Sequence, residues 1–312
     1  VTRARSPLPV WIDTDTAIGV PDADVDDALA LIQAFHSPEL EVRGVSAVYG
    51  NAPLEKTFPI ATEVAKEFGP PGLPVARGAA AADALGAPSD AVTALAEALR
   101  AGPLAILAIG PLTNVASLAL LHPELVARIE VVVMVAARRP GQRFLSVANQ
   151  PRPFPDLNFD CDPPAVRALL ETPVEIAFAP WEVSSQVWLT GRDLDRLEAA
   201  GGSGAWLAGR CRSWLALWER DLGAPGFNPF DSLAVAWASH PQLLEHFRAG
   251  VWIEDGPDDT ASPEEQAAGR RKPHLLVDPA RPGRQAVYCF RPCPAFKPVL
   301  LERLAGPPGG GD

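Results

Sequence analysis

Short runs of apolar residues alternate with longer stretches in which apolar positions recur every third or fourth residue. Val10-Trp11-Ile12 reads as the end of a buried strand, and Val42–Val48, Leu104–Ile109, Ile129–Ala136 and Val174–Ala179 repeat the pattern in runs too short for helices. Helical spacing begins at Asp26, where Leu29, Ile32 and Phe35 share a face, and recurs over Ile60–Phe68, Val92–Arg100, Val115–Leu121 and Pro164–Leu170. Strand and helix alternating in this way predict an α/β protein: a doubly wound, mostly parallel sheet with helices on both faces. Two further helices are predicted, Ser232–Ala238 and Ala205–Leu222, the latter carrying Trp206, Trp214 and Trp218, which should pack or line a cleft. The polar stretch Asp255–Lys272 reads as a surface excursion before two final strands, His274–Val277 and Ala286–Phe290. Residues 1–305 are read as a single domain and the Gly/Pro-rich residues 306–312 as a disordered tail.

Composition narrows the partners. A chain of 312 residues that is 47% hydrophobic can bury a large core. Its 38 acidic and 27 basic residues give a net charge of −11, with no dense basic cluster, which excludes a nucleic-acid footprint and favours a neutral or cationic ligand. No apolar run reaches membrane-spanning length, and Val1-Thr-Arg-Ala-Arg-Ser-Pro7 lacks the apolar centre of a signal peptide, so a cytoplasmic protein without membrane contact is expected. Cys161, Cys211, Cys289 and Cys293 are too scattered for a disulfide framework and read as free thiols.

The chemistry concentrates in aspartates. The first strand delivers Asp13 and Asp15 to its carboxyl edge, and the next helix opens on Asp26-Asp27, where free backbone N–H groups favour carboxylates. Like charges gathered this closely repel unless protons or a cation hold them, and an all-oxygen donor set suits Ca²⁺ or Mg²⁺. N-capping and a solvated acidic loop would explain Asp24 or Asp26 but not Asp13 and Asp15. Later strand ends add Asn51, Thr113-Asn114, Asp156-Leu-Asn158 and Asn228-Pro-Phe-Asp231. Taken singly, Asn51 and Asn114 also read as turn residues, Thr113 and Asp231 as helix caps, and Asp162-Pro163 as a helix start.

Taken in order, these motifs resemble the Ca²⁺-dependent nucleoside hydrolases of the inosine-uridine-preferring type, over most of residues 8–245. The likeness rests on the Asp13-Thr-Asp15 and Asp26-Asp27 loop, Tyr49-Gly50-Asn51, Gly110-Pro-Leu-Thr113-Asn114, the run ending at Met134, Asp156-Leu-Asn158 and Asp231 opening a late helix. The resemblance implies a homodimer or homotetramer acting on ribonucleosides. In it, Asp15, Asp27, the Thr113 carbonyl and Asp231 bind Ca²⁺, and Asp15 is also the general base for the attacking water. Asp26, Asn51, Asn158 and Asp156, the last in place of the family's Glu, hold the ribose hydroxyls. Asn149 contacts the 5′-hydroxyl, Met134 lies under the sugar, and Asp13 orients the loop from behind.

The chain departs from the family pattern where the leaving base should be protonated. Phe230 stands where one branch has a catalytic His, Thr14 where another has Cys, and no His follows Val75–Ala79 within forty residues. Three expectations follow: Arg77, Tyr49 or Trp181 contacts the base, ribosyl activation suffices, or activity has been lost. The loop between Asp15 and Asp26 is seven residues longer than the family's, and Met134-Val-Ala-Ala replaces a Met-Gly-Gly turn. Two rival functions remain open. One is a non-catalytic nucleoside or ribose sensor. The other is an Asp-nucleophile phosphatase, because Asp13-Thr-Asp15-Thr16 also resembles the motif of the haloacid-dehalogenase phosphatases.

Overall fold

A computed structural model describes residues 6–148 and 150–306. Nine strands form one sheet: β1 Leu8–Thr14, β2 Leu40–Ala47, β3 Val75–Arg77, β4 Leu104–Ala108, β5 Ile129–Met134, β6 Ile176–Phe178, β7 Leu244–Pro257, β8 Arg271–Asp278 and β9 Gln285–Pro292. Their order is β3-β2-β1-β4-β5-β6-β9-β7-β8, with parallel neighbours from β3 through β9 and antiparallel pairing of β7 with both β9 and β8. The α/β class and the mostly parallel sheet are as the pattern predicts.

Each sheet face carries its own core, as side-chain alternation along a strand requires. Val10, Ile12, Leu107 and Val133 pack on one face with Leu29, Phe227 and Leu233, while Trp11, Ile106, Val132 and Met134 pack on the other with Leu95, Val115 and Leu118. The chain winds from β1 through β2 to β3 in one direction and resumes at β4 on the other side of β1. That reversal opens a crevice outside the carboxyl ends of β1 and β4, the usual ligand position in such sheets.

The boundaries differ from the pattern in informative places. The helix expected over Ile60–Phe68 spans Leu54–Phe68 with Pro59 inside it. Buried Leu54 and Thr57, whose hydroxyl donates to the Val48 carbonyl at 2.8 Å, anchor a first turn that outweighs the helix-breaking tendency of proline. Helices Gly191–Ala200 and Phe296–Ala305 lie outside the predicted elements, although Thr190 and Asp193 form a capping box at the first. The excursion Asp255–Lys272 is shorter than expected, because Asp255, Gly256 and Pro257 pair with Pro273, Lys272 and Arg271 as the end of the β7–β8 hairpin. That part of β7 lies at the sheet edge with polar residues on both faces, so no apolar alternation marks it. The tail expected to be disordered falls on residues 307–312, outside the described residues, whereas Gly306 ends the last helix. Among the described residues no helix is long and apolar enough to cross a membrane, and all four cysteines are free thiols.

Candidate active site

The last residue pairs of β1 bring the acidic loop together. Asp13 Oδ1 accepts hydrogen bonds from Ser46 Oγ on β2 and from Asn114 Nδ2 at 2.9 Å, which fixes it between strands. One residue past the strand, Asp15 Oδ2 accepts the Asn51 backbone N–H at 2.7 Å. Its Oδ1 is buried with no partner among the described residues. Asp27, in the first turn of helix Asp26–Phe35, accepts at Oδ1 from Thr14 Oγ1 and from the Asp15 N–H at 3.1 Å, and at Oδ2 from Asn51 Nδ2 at 3.0 Å. Asp231 arrives from the start of helix Ser232–Ser239.

Asp26, Asp27 and Asp231 each place a carboxylate oxygen within 4.8 Å of the others, and all three are buried. Asp26 thus joins this trio, whereas the resemblance assigns it to the ribose; Asp15 stands beside it, within electrostatic reach of Asp26, Asp27 and Asp231. Thr113 opens helix Thr113–Leu121, and its hydroxyl donates to Asp162 Oδ2 at 2.5 Å and lies 3.3 Å from the Tyr49 hydroxyl. Asp162 therefore does more than start the next helix, which it caps through the Ala165 N–H at 3.1 Å.

Burial, then the neighbouring carboxylates, holds Asp15, Asp26 and Asp231 well above the usual carboxylate range. Burial pushes Asp24 and Asp27 up to about 6 and Asp13 up to about 7. Basic side chains are not among the leading influences on Asp15, Asp26 or Asp231, so the folded chain itself offers little compensation. A hard divalent cation meets that need, and the unpartnered Asp15 oxygen and the oxygen-only donor set fit one.

Beside the carboxylates lies a cavity lined by Asp24, Asp26, Asn51, Asp156, Asn158 and Asp231 on its polar side. Phe144, Phe154, Trp181, Trp214, Trp218 and Phe230 form its aromatic walls. Asp156 accepts from the Ala137 N–H at 2.9 Å, and Asn158 Nδ2 donates to the Ile109 and Val135 carbonyls at 3.0 and 3.2 Å. Phe144 stacks on Trp181 with ring centroids 5.1 Å apart, while Trp218 contacts Phe154, Trp214 and Phe230 at 5.4, 6.3 and 6.2 Å.

Several residues expected at the substrate lie elsewhere or outside the described residues. Met134 does not line this cavity. It is fully buried in the core of one sheet face, whereas Val135, which alternation turns to the other face, lines the cavity together with Ala136 beyond the end of β5. Arg77 is not at the cavity either: it pairs with Glu55 and lies over Phe58. Tyr49 spends its hydroxyl on Thr113 and the Cys161 carbonyl. Of the three groups considered for the base, only Trp181 lines the cavity. Asn149 lies outside the described residues. Of the aromatic walls, Trp181, Trp214, Trp218 and Phe230 carry sequence expectations of a cleft or base contact, with Trp214 and Trp218 four residues apart on one helix face, whereas nothing in the pattern marks Phe144 and Phe154.

The sequence model of the family described as inosine-uridine preferring nucleoside hydrolase matches residues 10–274. The chain belongs to that family. Its members are ribonucleoside hydrolases, metal-dependent enzymes that break N-glycosidic bonds, and the acidic cluster could hold a metal ion. Among similar proteins are the pyrimidine-specific ribonucleoside hydrolases RihA of Klebsiella pneumoniae strain 342, 28% identical over 277 residues, and of Salmonella agona strain SL483, 28% over 280. Each alignment covers 79% of this chain and 84% of the relative. In fold this nucleoside hydrolase is similar to a plant nucleoside hydrolase, with a TM-score of 0.77 at 21% identity, covering 96% of this chain and 100% of that one. It is similar also to a purine-preferring ribonucleoside hydrolase from Gardnerella vaginalis, with a TM-score of 0.76 at 20% identity, covering 95% and 98%.

Proposed function

We propose that this family member hydrolyses the N-glycosidic bond of ribonucleosides to ribose and free base, with Ca²⁺ in the acidic cluster and Asp15 as general base. The observation that carries the reading is the Asp15 carboxylate: one oxygen fixed by the Asn51 N–H, the other buried without a partner beside the Asp26, Asp27 and Asp231 trio. Asp15, Asp27, Asp231 and the Thr113 carbonyl would hold Ca²⁺, which would offset the buried negative charge and supply Lewis-acid activation of water and of the ribose hydroxyls.

The protein groups supply the rest. Asp15 Oδ1 takes a proton from the attacking water, and the bond from Asn51 keeps that oxygen aimed. Asp26, Asn51, Asp156 and Asn158 line the cavity where the ribose hydroxyls would sit. As the bond to the base lengthens, C1′ gains positive charge, which the carboxylates stabilise more than they do the ground state. Asp13 acts from behind, tying β1 to β2 and to Asn114. The aromatic walls exclude water and offer faces to the base.

The absence of a proton donor at Phe230 keeps a ribose or nucleoside sensor as the second reading. A phosphatase is disfavoured, because its nucleophile would be Asp13, which is fully buried and held by Ser46 and Asn114. The test is reducing-sugar release from inosine, uridine, adenosine and cytidine with Ca²⁺ and after chelation. Chelator-sensitive release supports the hydrolase. No release from any of them, with Ca²⁺-dependent ribose binding retained, supports the sensor.

A further inference from the structure

Two consecutive arginines outside the cavity converge on its aromatic wall. Beyond β5 the chain runs Ala137-Arg138-Arg139-Pro140-Gly141-Gln142-Arg143-Phe144. The backbone of Arg138 is bound to the edge of β8, its N–H donating to the Leu275 carbonyl at 3.0 Å and its carbonyl accepting from the Val277 N–H at 3.0 Å. Arg139-Pro-Gly-Gln142 then reverses the chain. Proline suits the first central position of the turn, Gly141 at φ +75° the second, and the Gln142 N–H closes it on the Arg139 carbonyl at 3.1 Å. The reversal lays the Phe144 ring against the Arg138 guanidinium, whose Cζ lies 4.4 Å from the ring centroid. Phe144 in turn stacks on Trp181 at 5.1 Å, and both rings line the cavity.

Both ends of this stack are tied down. Arg138 Nη1 donates to Asp259 Oδ2 at 2.7 Å, in the connection between β7 and β8. At the other end, Arg139 Nε donates to Glu182 Oε2 at 2.9 Å and its Nη2 to Oε1, while the Tyr288 hydroxyl donates to Glu182 Oε2 at 3.0 Å. Glu182 follows Trp181 in the first turn of helix Trp181–Ser184. Packing alone does not call for arginine at position 138. The residue is only 3% exposed, and its Nε and Nη2 are buried without partners among the described residues. Unmet donors on a buried charge carry a desolvation cost that a methionine laid against Phe144 would avoid. What arginine adds is a planar cationic face, held at a fixed angle by Asp259.

We propose that Arg138 is a positioning residue for the nucleoside base: it holds Phe144, and through Phe144 the Trp181 ring, in the orientation that receives the base, while Arg139 secures Trp181 through Glu182. Arg138 does not line the cavity, so it acts only through these rings. The proposal rests on the hydrolase reading for its kinetic test and on base binding alone for its second readout. A wall held in place before the substrate arrives spares the ordering cost of binding. Because the wall is the same in ground and transition states, loosening it weakens both alike. KM then rises while kcat is kept.

The test is a double-mutant cycle of Arg138→Met and Phe144→Leu in the Ca²⁺-loaded protein, with KM and kcat for inosine and uridine read by reducing-sugar release. Arg138→Met is expected to raise KM about tenfold with kcat kept within about twofold. In the Phe144→Leu background the same substitution should change KM by less than about twofold, because the ring it acts through is gone. Arg138→Lys should not restore KM, since an ammonium lacks the planar face. Arg139 is half-exposed, so Arg139→Gln spares the core; it should raise KM about threefold with kcat unchanged, and it decides alone if Arg138→Met loses its circular dichroism spectrum. Equal changes in both backgrounds, an unchanged KM, or a fall in kcat alone overturn the inference and leave the hydrolase reading standing. If the parent releases no ribose, the hydrolase reading fails, and the cycle is read instead as the Kd of inosine from quenching of tryptophan fluorescence. Weaker binding by Arg138→Met only where Phe144 is present then sustains the positioning role, and an unchanged Kd overturns it. No release and no quenching in the parent overturns both.

Discussion

A Cβ placed on Gly50 would stand 2.0 Å from Asp15 Oδ2, closer than any real contact. Gly50 also has φ +151°, so its backbone conformation and its close approach both require glycine. The approach is what brings the next N–H, that of Asn51, onto the Asp15 carboxylate. Gly50→Ala should displace the Asp15 oxygens and lower kcat by about 10²-fold while the circular dichroism spectrum is preserved. Activity within a factor of two of the parent would show that Asp15 does not need this placement.

Asp27 is the most connected carboxylate of the cluster, bonded to Thr14, the Asp15 N–H and Asn51. Asp27→Ala should abolish both Ca²⁺ binding by calorimetry and ribose release. Ca²⁺ added to the parent should raise Tm by linkage, with about 2.7 kcal/mol of stabilisation at a free concentration of 100 Kd. A variant that keeps the Ca²⁺-dependent rise in Tm would remove Asp27 from the ligand set.

The hydrogen bond from Thr113 to Asp162 ties the proposed carbonyl ligand to the helix Pro163–Leu170 that Asp162 caps. Asp162→Ala should cost about 1 kcal/mol through the lost helix cap. If the tie also positions Thr113, Ca²⁺ affinity should fall several-fold while the other ligands are untouched. Destabilisation with unchanged Ca²⁺ affinity would reduce Asp162 to a cap.

Asp156 gives a pH signature. Burial first, then the Asp160 charge, raises its carboxyl to about 7, against partial relief from Arg138, the Ala137 N–H and Lys272. Its folded-state pKa lies above its unfolded one, so its contribution to stability is fully present below about pH 4 and is lost as pH rises through about 7. The shift corresponds to about 4 kcal/mol between those limits. Asp156→Asn keeps an oxygen for the Ala137 N–H without the charge. Its Tm relative to the parent, both without ligand, should climb from pH 4 to 7 and level off above. A flat difference across that range would show that Asp156 titrates normally.

Much of the acidic half of the site was legible in the chain. Asp15, Asp26 and Asp27 sit at a strand end and a helix start that local periodicity locates to within two residues, and Asp231 opens a helix as its motif suggests. The aromatic half was legible only residue by residue, in Trp181, Trp214, Trp218 and Phe230, and not as one wall. Phe144, Phe154, Trp181, Trp214, Trp218 and Phe230 come from four separate stretches of chain, and periodicity says nothing about which distant faces meet. Met134 shows the same limit in reverse: its place at the end of a strand was plain, but the face it takes depends on register.

By itself, then, the sequence determined the α/β alternation, the strand ends that carry aspartates, and the lack of a histidine at position 230, because these are local properties of periodicity and residue type. The tertiary structure alone decided that Asp26 joins Asp27 and Asp231, that Asp162 holds Thr113, and that six aromatic rings line one cavity. Those are relations between residues far apart in the chain, set by strand order and by the packing of helices on the two sheet faces.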